Sequence, residues 1–183
     1  MDDTYFMDLV TRLDAALCAR DLWLVTAESC TGGMLSHVIT NLAGVSRTFL
    51  GGIISYDNWL KQNLLGVQEI TLINHGAVSP QTALEMARGA REASASPAFP
   101  LERLIGVSVT GIAGPGGGSA AKPLGLVWIG ADSHWGSETL RYVASGDRLE
   151  NKAQFTEQAL LFLLRHLEKI PFPADAHGNG DAD

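Results

Sequence analysis

Cysteine and basic residues are scarce in this sequence. Its two cysteines, Cys18 and Cys30, fit neither the CxxC spacing of a zinc site nor a disulfide framework, so both are expected to be reduced thiols. Lysine and arginine number 13 against 20 aspartates and glutamates, and they form no cluster that would neutralise a row of phosphates. The formal net charge of −7 therefore argues against a nucleic-acid partner.

Long hydrophobic runs are also missing. Although 46% of the residues are hydrophobic, no apolar run approaches the ~20 residues that span a bilayer. The opening residues Met1-Asp2-Asp3-Thr4 are acidic and lead into an amphipathic pattern, unlike the basic start of a secretory signal. We therefore expect a cytoplasmic protein without a membrane partner.

The length of 183 residues suits a single domain, because a chain of this size buries roughly 70% of its unfolded surface. We expect this domain to occupy residues 1–170. After Pro171 the chain becomes polar and rich in glycine and aspartate, which predicts a disordered tail over residues 171–183.

Hydrophobic spacing divides the domain into helices and strands. Helices are predicted over residues 4–20, 31–41, 58–65 and 80–93, and a last helix follows the capping box formed by Asp147 and Glu150. Strands are predicted over residues 22–27, 48–55, 104–110, 124–131 and 139–144. The early strand–helix units favour parallel pairing and the later strands antiparallel pairing. The expected fold is therefore α/β, a three-layer α/β/α sandwich with a mixed sheet.

Residues 28–33, Glu-Ser-Cys-Thr-Gly-Gly, lie where the first predicted strand meets the second predicted helix. Ser29 is a candidate nucleophile there, because the unpaired N–H groups of a helix start can hold an oxyanion or a phosphate. Gly32 and Gly33 each cost roughly 0.5–1 kcal/mol relative to alanine in a helix, which is easiest to explain if a ligand approaches the backbone. The segment alone is equally compatible with a Ser29 or Thr31 side chain that simply caps the helix.

A second glycine-bearing loop follows the third predicted strand. Residues 110–119 read Thr-Gly-Ile-Ala-Gly-Pro-Gly-Gly-Gly-Ser, which suits a backbone that wraps closely around a ligand, although a flexible surface loop is the simpler alternative. The loop is not a Walker A motif, because Lys122 is followed by Pro123, and a strand rather than a Rossmann helix comes next. Since ligands of open α/β sheets gather at the carboxyl ends of strands, we expect the two loops to share a site.

Tyr56 and Lys61 flank the start of the third predicted helix. If Asp57 caps this helix, the two residues occupy the positions that normally touch as a hydrophobic staple. They would bring a phenol and an amine together at the end of a strand. The alternative is that Lys61 lies along the Tyr56 ring and keeps its charge in water.

These residue types suit acyl transfer by a serine. A serine hydroxyl needs a base to take its proton and donors to hold the oxyanion, and a lysine can be that base if desolvation lowers its pKa. No histidine occupies a comparable strand-end segment, and no HExxH motif or clustered His/Asp ligand set is present. We therefore expect neither a metal nor another cofactor. The histidines considered are His37, His75, His134, His166 and His177.

These segments together make the chain resemble the C-terminal domain of the competence-associated CinA family, and specifically its stand-alone nicotinamide-nucleotide amidohydrolases. The matching motifs are TAESCTGG at 26–33, HGAVS at 75–79, TGIAGPGGGS at 110–119 and SGDR at 145–148. Their spacing also matches, and the resemblance covers about residues 5 to 168.

The resemblance implies hydrolysis of the carboxamide of nicotinamide mononucleotide to nicotinic acid mononucleotide and ammonia, in pyridine-nucleotide salvage. It also implies a metal-independent serine mechanism with Ser29, Tyr56 and Lys61 as catalytic residues, and a homodimer or larger homo-oligomer. In the resulting hypothesis, Lys61 takes the Ser29 proton with help from Tyr56. The candidate oxyanion and substrate-binding residues are Cys30, Thr31, Gly32, Gly33, Thr110, Gly111, Ala113, Gly114 and Arg148.

Three alternatives stay open at this point. Arg148 suits a phosphate contact but equally suits an exposed position in the first turn of the last helix. The chain as a whole could be a non-catalytic nucleotide-binding or regulatory module that keeps the glycine loops without turnover. It could also hydrolyse another small amide, one without a 5′-phosphate.

Overall fold

A computed structural model describes residues 3–173 as five strands, six α-helices and three short 3-10 turns. The strands are β1 (Trp23–Glu28), β2 (Phe49–Ile54), β3 (Leu104–Gly111), β4 (Leu126–Ser133) and β5 (Gly136–Val143). The helices are α1 (Met7–Cys18), α2 (Met34–Thr40), α3 (Asn58–Leu65), α4 (Glu69–His75), α5 (Pro80–Ala93) and α6 (Arg148–Glu168). The 3-10 turns are Asp3–Phe6, Val45–Arg47 and Leu101–Arg103.

The strands form one mixed sheet in the order β2-β1-β3-β4-β5. Strand β1 pairs in parallel with both β2 and β3, whereas the β3/β4 and β4/β5 pairs are antiparallel. This is the predicted division into early parallel and later antiparallel strands. It brings the carboxyl ends of β1, β2 and β3 to the same edge of the sheet.

Helices cover both faces of the sheet, which confirms the three-layer α/β/α prediction. The larger core packs α1, α2 and α6 against one face through residues such as Leu24, Val107 and Leu160. The smaller core packs α3 and α5 on the other face, around Val25, Ala27, Leu65, Met86 and Ala90. Strands β1 and β3 are buried on both faces, as expected for the centre of such a sandwich.

Three predicted helix starts are confirmed by their capping contacts. Asp57 accepts a hydrogen bond from the amide of Trp59, and Ser79 accepts one from Thr82 ahead of Pro80 at the first helical position. Asp147 and Glu150 form the predicted capping box of α6. These local signals place the boundaries of α3, α5 and α6 close to where the sequence indicates.

Three helices differ from the sequence prediction. Helix α1 begins at Met7 rather than residue 4, since Asp3–Phe6 form a 3-10 turn. Helix α2 begins at Met34 rather than residue 31, because Gly33 has a φ of +97°, which is incompatible with a right-handed turn. Helix α4 is not predicted, since it has seven residues and leaves Ile70 and Ile73 exposed instead of presenting a buried apolar stripe.

The single domain over residues 1–170 and the tail over 171–183 stay predictions, and residues 174–183 lie outside the described residues. Among the helices of residues 3–173, none is long and apolar enough to cross a membrane.

Candidate active site

A cavity of about 280 Å³ lies at the carboxyl ends of β1, β2 and β3. This volume lies just below the low end of the range for small-molecule sites. Segments far apart in the sequence contribute to its wall, and the side chain of Arg148 brings positive charge to it. The lining residues are Ser29, Cys30, Tyr56, Lys61, Ala77, Val78, Thr110, Gly111, Ile112, Ala113, Gly114, Gly116, Gly117 and Arg148.

The structure places Lys61 directly against the predicted nucleophile. Lys61 Nζ lies 3.1 Å from Ser29 Oγ, and it also donates to the backbone carbonyls of Ser55 at 2.7 Å and Tyr56 at 2.9 Å. Lys61 is 1% exposed and Ser29 is 8% exposed. The alternative in which Lys61 keeps its charge in water is therefore wrong.

The two carbonyl contacts determine what Lys61 presents to Ser29. A carbonyl oxygen only accepts hydrogen bonds, so Ser55 and Tyr56 take two N–H groups of the Lys61 nitrogen. The remaining tetrahedral direction meets Ser29 Oγ. In the ammonium form this direction carries a third N–H, and in the neutral amine it carries the lone pair that can accept the Ser29 proton.

Burial favours the neutral amine. Desolvation lowers the pKa of Lys61 below its ordinary value of 10.5, against smaller opposing contributions from Cys30 and Asp57. The pKa of the neighbouring Cys30 thiol shifts in the opposite direction. Burial raises this pKa to about 12, and the charge of Glu28 adds to the rise. Cys30 packs within the larger core, and Ser29 is the nucleophile that the geometry favours.

The turn after Ser29 offers fewer free amides than the sequence suggests. The amide of Gly32 donates to the carbonyl of Ser29 at 3.1 Å, and that of Gly33 donates to the carboxylate of Glu28 at 2.9 Å. The amides of Cys30 and Thr31 donate to no backbone carbonyl of the described residues, but both face the Cys30 thiol. Of the four residues whose amides are predicted as oxyanion donors, Cys30 is the one that lines the cavity, whereas Thr31 is fully buried.

Tyr56 and Arg148 meet at the edge of the cavity. Arg148 donates to the Tyr56 hydroxyl at 3.2 Å and to the carbonyl of Gly114 at 2.6 Å. The Tyr56 side chain is 60% exposed, and its hydroxyl is bonded to Arg148 rather than to Ser29 or Lys61. Arg148 thus lies on the cavity wall, although it is in the first turn of α6.

The glycine loop is held by contacts that leave much of its backbone free. Thr110 donates its hydroxyl to the carbonyl of Ala77 at 2.7 Å, and the side-chain amide of Asn151 donates to the carbonyl of Ala113 at 3.0 Å. The backbone N–H groups of residues 113–118, Pro115 having none, make no hydrogen bond within the described part of the chain. They remain available for an anionic ligand.

Sequence reasoning missed three residues that shape this site. Glu28 and Asn151 are buried and hold backbone groups, and Lys122 donates to the carbonyl of His75 at 2.6 Å and so ties the loop to α4. An acidic residue at the end of an otherwise uncharged strand is a sequence signal that could have identified Glu28. Asn151 and Lys122 occupy ordinary polar positions of the sequence, and no local pattern distinguishes them.

A serine, a histidine and a glutamate also meet at the opposite edge of the sheet. His166 contacts Ser133 Oγ at 3.1 Å through Nε2 and Glu138 Oε1 at 2.6 Å through Nδ1. Ser133 donates its hydroxyl hydrogen to the carbonyl of Gly136, so it is not oriented to give that proton to His166. This chain of contacts fastens α6 to the β4–β5 hairpin and is not a second nucleophilic site.

Comparison with known proteins places the chain in one family. The CinA C-terminal domain matches residues 7–167. A putative competence-damage inducible protein of Moorella thermoacetica is 47% identical over 166 residues, which are 91% of this chain and 37% of the relative. A CinA-like protein of Chlorobaculum tepidum is 45% identical over 161 residues, 85% of this chain and 36% of the relative. The chain therefore spans little more than a third of the length of these curated relatives.

Solved structures agree with the sequence relatives. The competence damage-inducible protein A of Klebsiella pneumoniae superposes with a TM-score of 0.82 at 32% identity, covering 90% of this chain and 98% of that one. The competence/damage inducible protein CihA of Agrobacterium tumefaciens superposes with a TM-score of 0.79 at 37% identity, covering 92% and 98%. With this fold, and with a family match over nearly all of the domain, the chain belongs to the CinA C-terminal domain family.

Proposed function

We propose that this protein hydrolyses the carboxamide of nicotinamide mononucleotide to nicotinic acid mononucleotide and ammonia, with Ser29 as the nucleophile. The observation that carries the proposal is the contact of 3.1 Å between Ser29 Oγ and the buried Lys61 Nζ. The choice of substrate comes from the resemblance to nicotinamide-nucleotide amidohydrolases and is supported by the chemistry of the cavity.

In the first step, neutral Lys61 accepts the Ser29 proton while Ser29 Oγ attacks the carboxamide carbon. The carbonyls of Ser55 and Tyr56 keep the amine oriented, so no rearrangement of Lys61 is needed. The negative charge that develops on the carboxamide oxygen is stabilised by the backbone amide of Cys30, the residue of this turn that lines the cavity. Each such donor contributes about 3 kcal/mol of transition-state stabilisation in enzymes where one has been removed.

The second step releases ammonia. Protonated Lys61 returns the proton to the leaving nitrogen, the carbon–nitrogen bond breaks, and Ser29 is left as an ester of the pyridine carboxyl group. A water molecule then attacks this ester, Lys61 takes a proton from the water, and Ser29 leaves with that proton. The sum of the steps consumes one water and produces one carboxylic acid and one ammonia.

The cavity suits an anionic substrate. Arg148 and the unpaired amides of residues 113–118 offer donors to a phosphate, and none of the described lining residues is acidic. The carbonyl of Gly114 and the hydroxyl of Tyr56 orient the Arg148 guanidinium, whose remaining N–H groups can donate to the substrate phosphate. An amide without a phosphate would leave these donors unused.

The remaining expectations belong to the same proposal. The mechanism uses side chains and backbone amides alone, so we expect neither a metal nor another cofactor to be required. We also expect a cytoplasmic homodimer or larger homo-oligomer, which light scattering would report as at least twice the monomer mass of 19.5 kDa.

The test is ammonia release from nicotinamide mononucleotide by wild-type protein, with and without EDTA, beside Ser29→Ala and a control, Ser46→Ala. Ser46 is exposed next to the start of β2, at the far edge of the sheet. We expect turnover that resists EDTA, disappears in Ser29→Ala and persists in Ser46→Ala. The dephosphorylated riboside should be a much poorer substrate.

Other outcomes would select the alternatives. Tight binding of the nucleotide with no turnover would favour a non-catalytic binding or regulatory module. Equal turnover of the nucleotide and of amides without a 5′-phosphate would favour a hydrolase of another small amide.

A further inference from the structure

Glu28 is the last residue of β1 and immediately precedes the proposed nucleophile. Its side chain is 0% exposed, yet its carboxylate forms no salt bridge within the described residues. Instead it accepts four hydrogen bonds from the start of α2. The donors are the amide of Gly33 at 2.9 Å, the amide of Leu35 at 3.1 Å, the amide of Ser36 at 2.8 Å and the hydroxyl of Ser36 at 2.6 Å.

These contacts close the Ser29 turn at its base. Residues 29–32 leave β1 and return to the start of α2, and the Glu28 side chain joins those two points directly. Each carboxylate oxygen accepts two hydrogen bonds, so the group acts only as an acceptor. The first-turn amides of α2 that could have attracted a substrate anion are therefore engaged by the protein itself.

The network extends into the sheet and is tightly packed. Ser36 Oγ also lies 2.7 Å from Thr26 Oγ1 on β1. A Cβ on Gly52 of β2 would lie 2.2 Å from Thr26 Oγ1 and 2.4 Å from Ser36 Oγ, which leaves room only for glycine. The start of α2 is thus attached to β1 by hydrogen bonds and confined by β2.

We propose that Glu28 is a positioning residue for catalysis: it holds the turn so that Ser29 Oγ stays in contact with Lys61 and Cys30 keeps its place in the cavity wall. This inference deepens the serine mechanism proposed above and rests on it. It differs from simple helix capping, because capping would affect only the stability of α2. A misplacement of about 1 Å in a catalytic group can cost about 10²-fold in rate.

The decisive variant is Glu28→Gln, which preserves shape but replaces one acceptor oxygen by an NH₂ group that faces N–H donors. Two readouts are needed: the kcat and KM for nicotinamide mononucleotide, and the rate at which a fluorophosphonate probe labels Ser29, located by mass spectrometry. The probe reports an activated serine whatever the natural substrate. A matched control is Asp132→Asn, another buried carboxylate, which pairs with Arg91 at the opposite edge of the sheet.

We expect Glu28→Gln to lower both kcat and the labelling rate by about 10²-fold with little change in KM. Asp132→Asn should lower the melting temperature while labelling at the wild-type rate. A folded Glu28→Gln protein with wild-type kcat and labelling would overturn the proposal, whatever its melting temperature. If Glu28→Gln does not fold, Glu28→Asp replaces it, and if neither folds, the residue serves folding and the proposal falls.

The same experiment separates this inference from the proposed function. Wild-type protein that labels at Ser29 but releases no ammonia from the nucleotide would refute that substrate, and the Glu28 effect on labelling would still decide the positioning role. Wild-type protein that neither labels nor turns over would refute both.

Discussion

The backbone carbonyl of Tyr56, rather than its ring, holds Lys61, with an Nζ–O distance of 2.9 Å. The two residues occupy the staple positions around the Asp57 cap, where side chains normally contact each other. Here the lysine turns inward to the carbonyls at the end of β2, and the phenol turns outward to Arg148. A substitution of the Tyr56 side chain therefore leaves the orientation of Lys61 intact, which allows the two contributions of this residue to be separated.

We expect Tyr56→Phe to raise the KM for nicotinamide mononucleotide by up to about tenfold and to leave kcat near the wild-type value, because it removes one exposed hydrogen bond to Arg148. Steady-state kinetics measure both constants. Tyr5→Phe, an equally exposed tyrosine whose hydroxyl contacts Glu157, is the control. A large fall in kcat would instead place the phenol in proton transfer, the role that the resemblance implies.

Lys61→Arg should lower kcat by about 10²- to 10⁴-fold, the usual contribution of a general base, because a guanidinium does not give up its proton. In the wild type, kcat/KM should rise with pH along a limb whose midpoint lies below 10.5, since burial lowers the pKa of Lys61. A pH series of ammonia release measures this limb. Lys169→Arg, an exposed substitution at the end of α6, should behave as wild type. Undiminished turnover by Lys61→Arg would remove the amine from the mechanism.

Much of this site could be predicted from local sequence. The caps at Asp57 and Asp147 are short-range signals, and the parallel pairing of β1 with its neighbours brings the segments after three strands together. The contact of Lys61 with Ser29 joins residues 32 positions apart, and it follows from that topology. The burial of Lys61 does not follow from the topology, because residues from other segments complete the cavity.

The misassigned features have a common physical cause. The sequence at the start of α2 is typical of an anion site. In the structure, however, the carboxylate of Glu28 on β1 accepts the hydrogen bonds of these amides. Propensity and periodicity describe one segment at a time, and they do not indicate which group in the fold occupies a given donor. The unpredicted α4 is a similar case, since its position depends on packing against α5 and on the contact of Thr71 with Glu85.

Arg148→Gln tests the phosphate contact. We expect kcat/KM for nicotinamide mononucleotide to fall by about 10- to 100-fold, the range for hydrogen bonds to charged groups, while the low activity on the riboside stays unchanged. Comparison of the two substrates separates loss of a phosphate contact from distortion of the loop, because Arg148 also holds the carbonyl of Gly114. Arg165→Gln, an exposed arginine near the other end of α6, is the matched control. An equal loss on both substrates would assign Arg148 to the loop rather than to the phosphate.

The contacts of Glu138 predict how stability depends on acid. Burial alone would raise the pKa of this carboxyl, but hydrogen bonds from Lys169 and His166 outweigh burial and hold it below the ordinary value of 4.5. Between the pKa of Glu138 in the folded chain and its pKa in the unfolded chain, the unfolded chain binds more protons than the folded chain. Lowering the pH through this range therefore removes the stabilisation. Urea unfolding should show Glu138→Gln less stable than wild type at pH 7, with the difference shrinking as the pH falls below 4.5. The exposed control Glu92→Gln should show no such convergence, and a difference for Glu138→Gln that is independent of pH would refute a charge-based contribution.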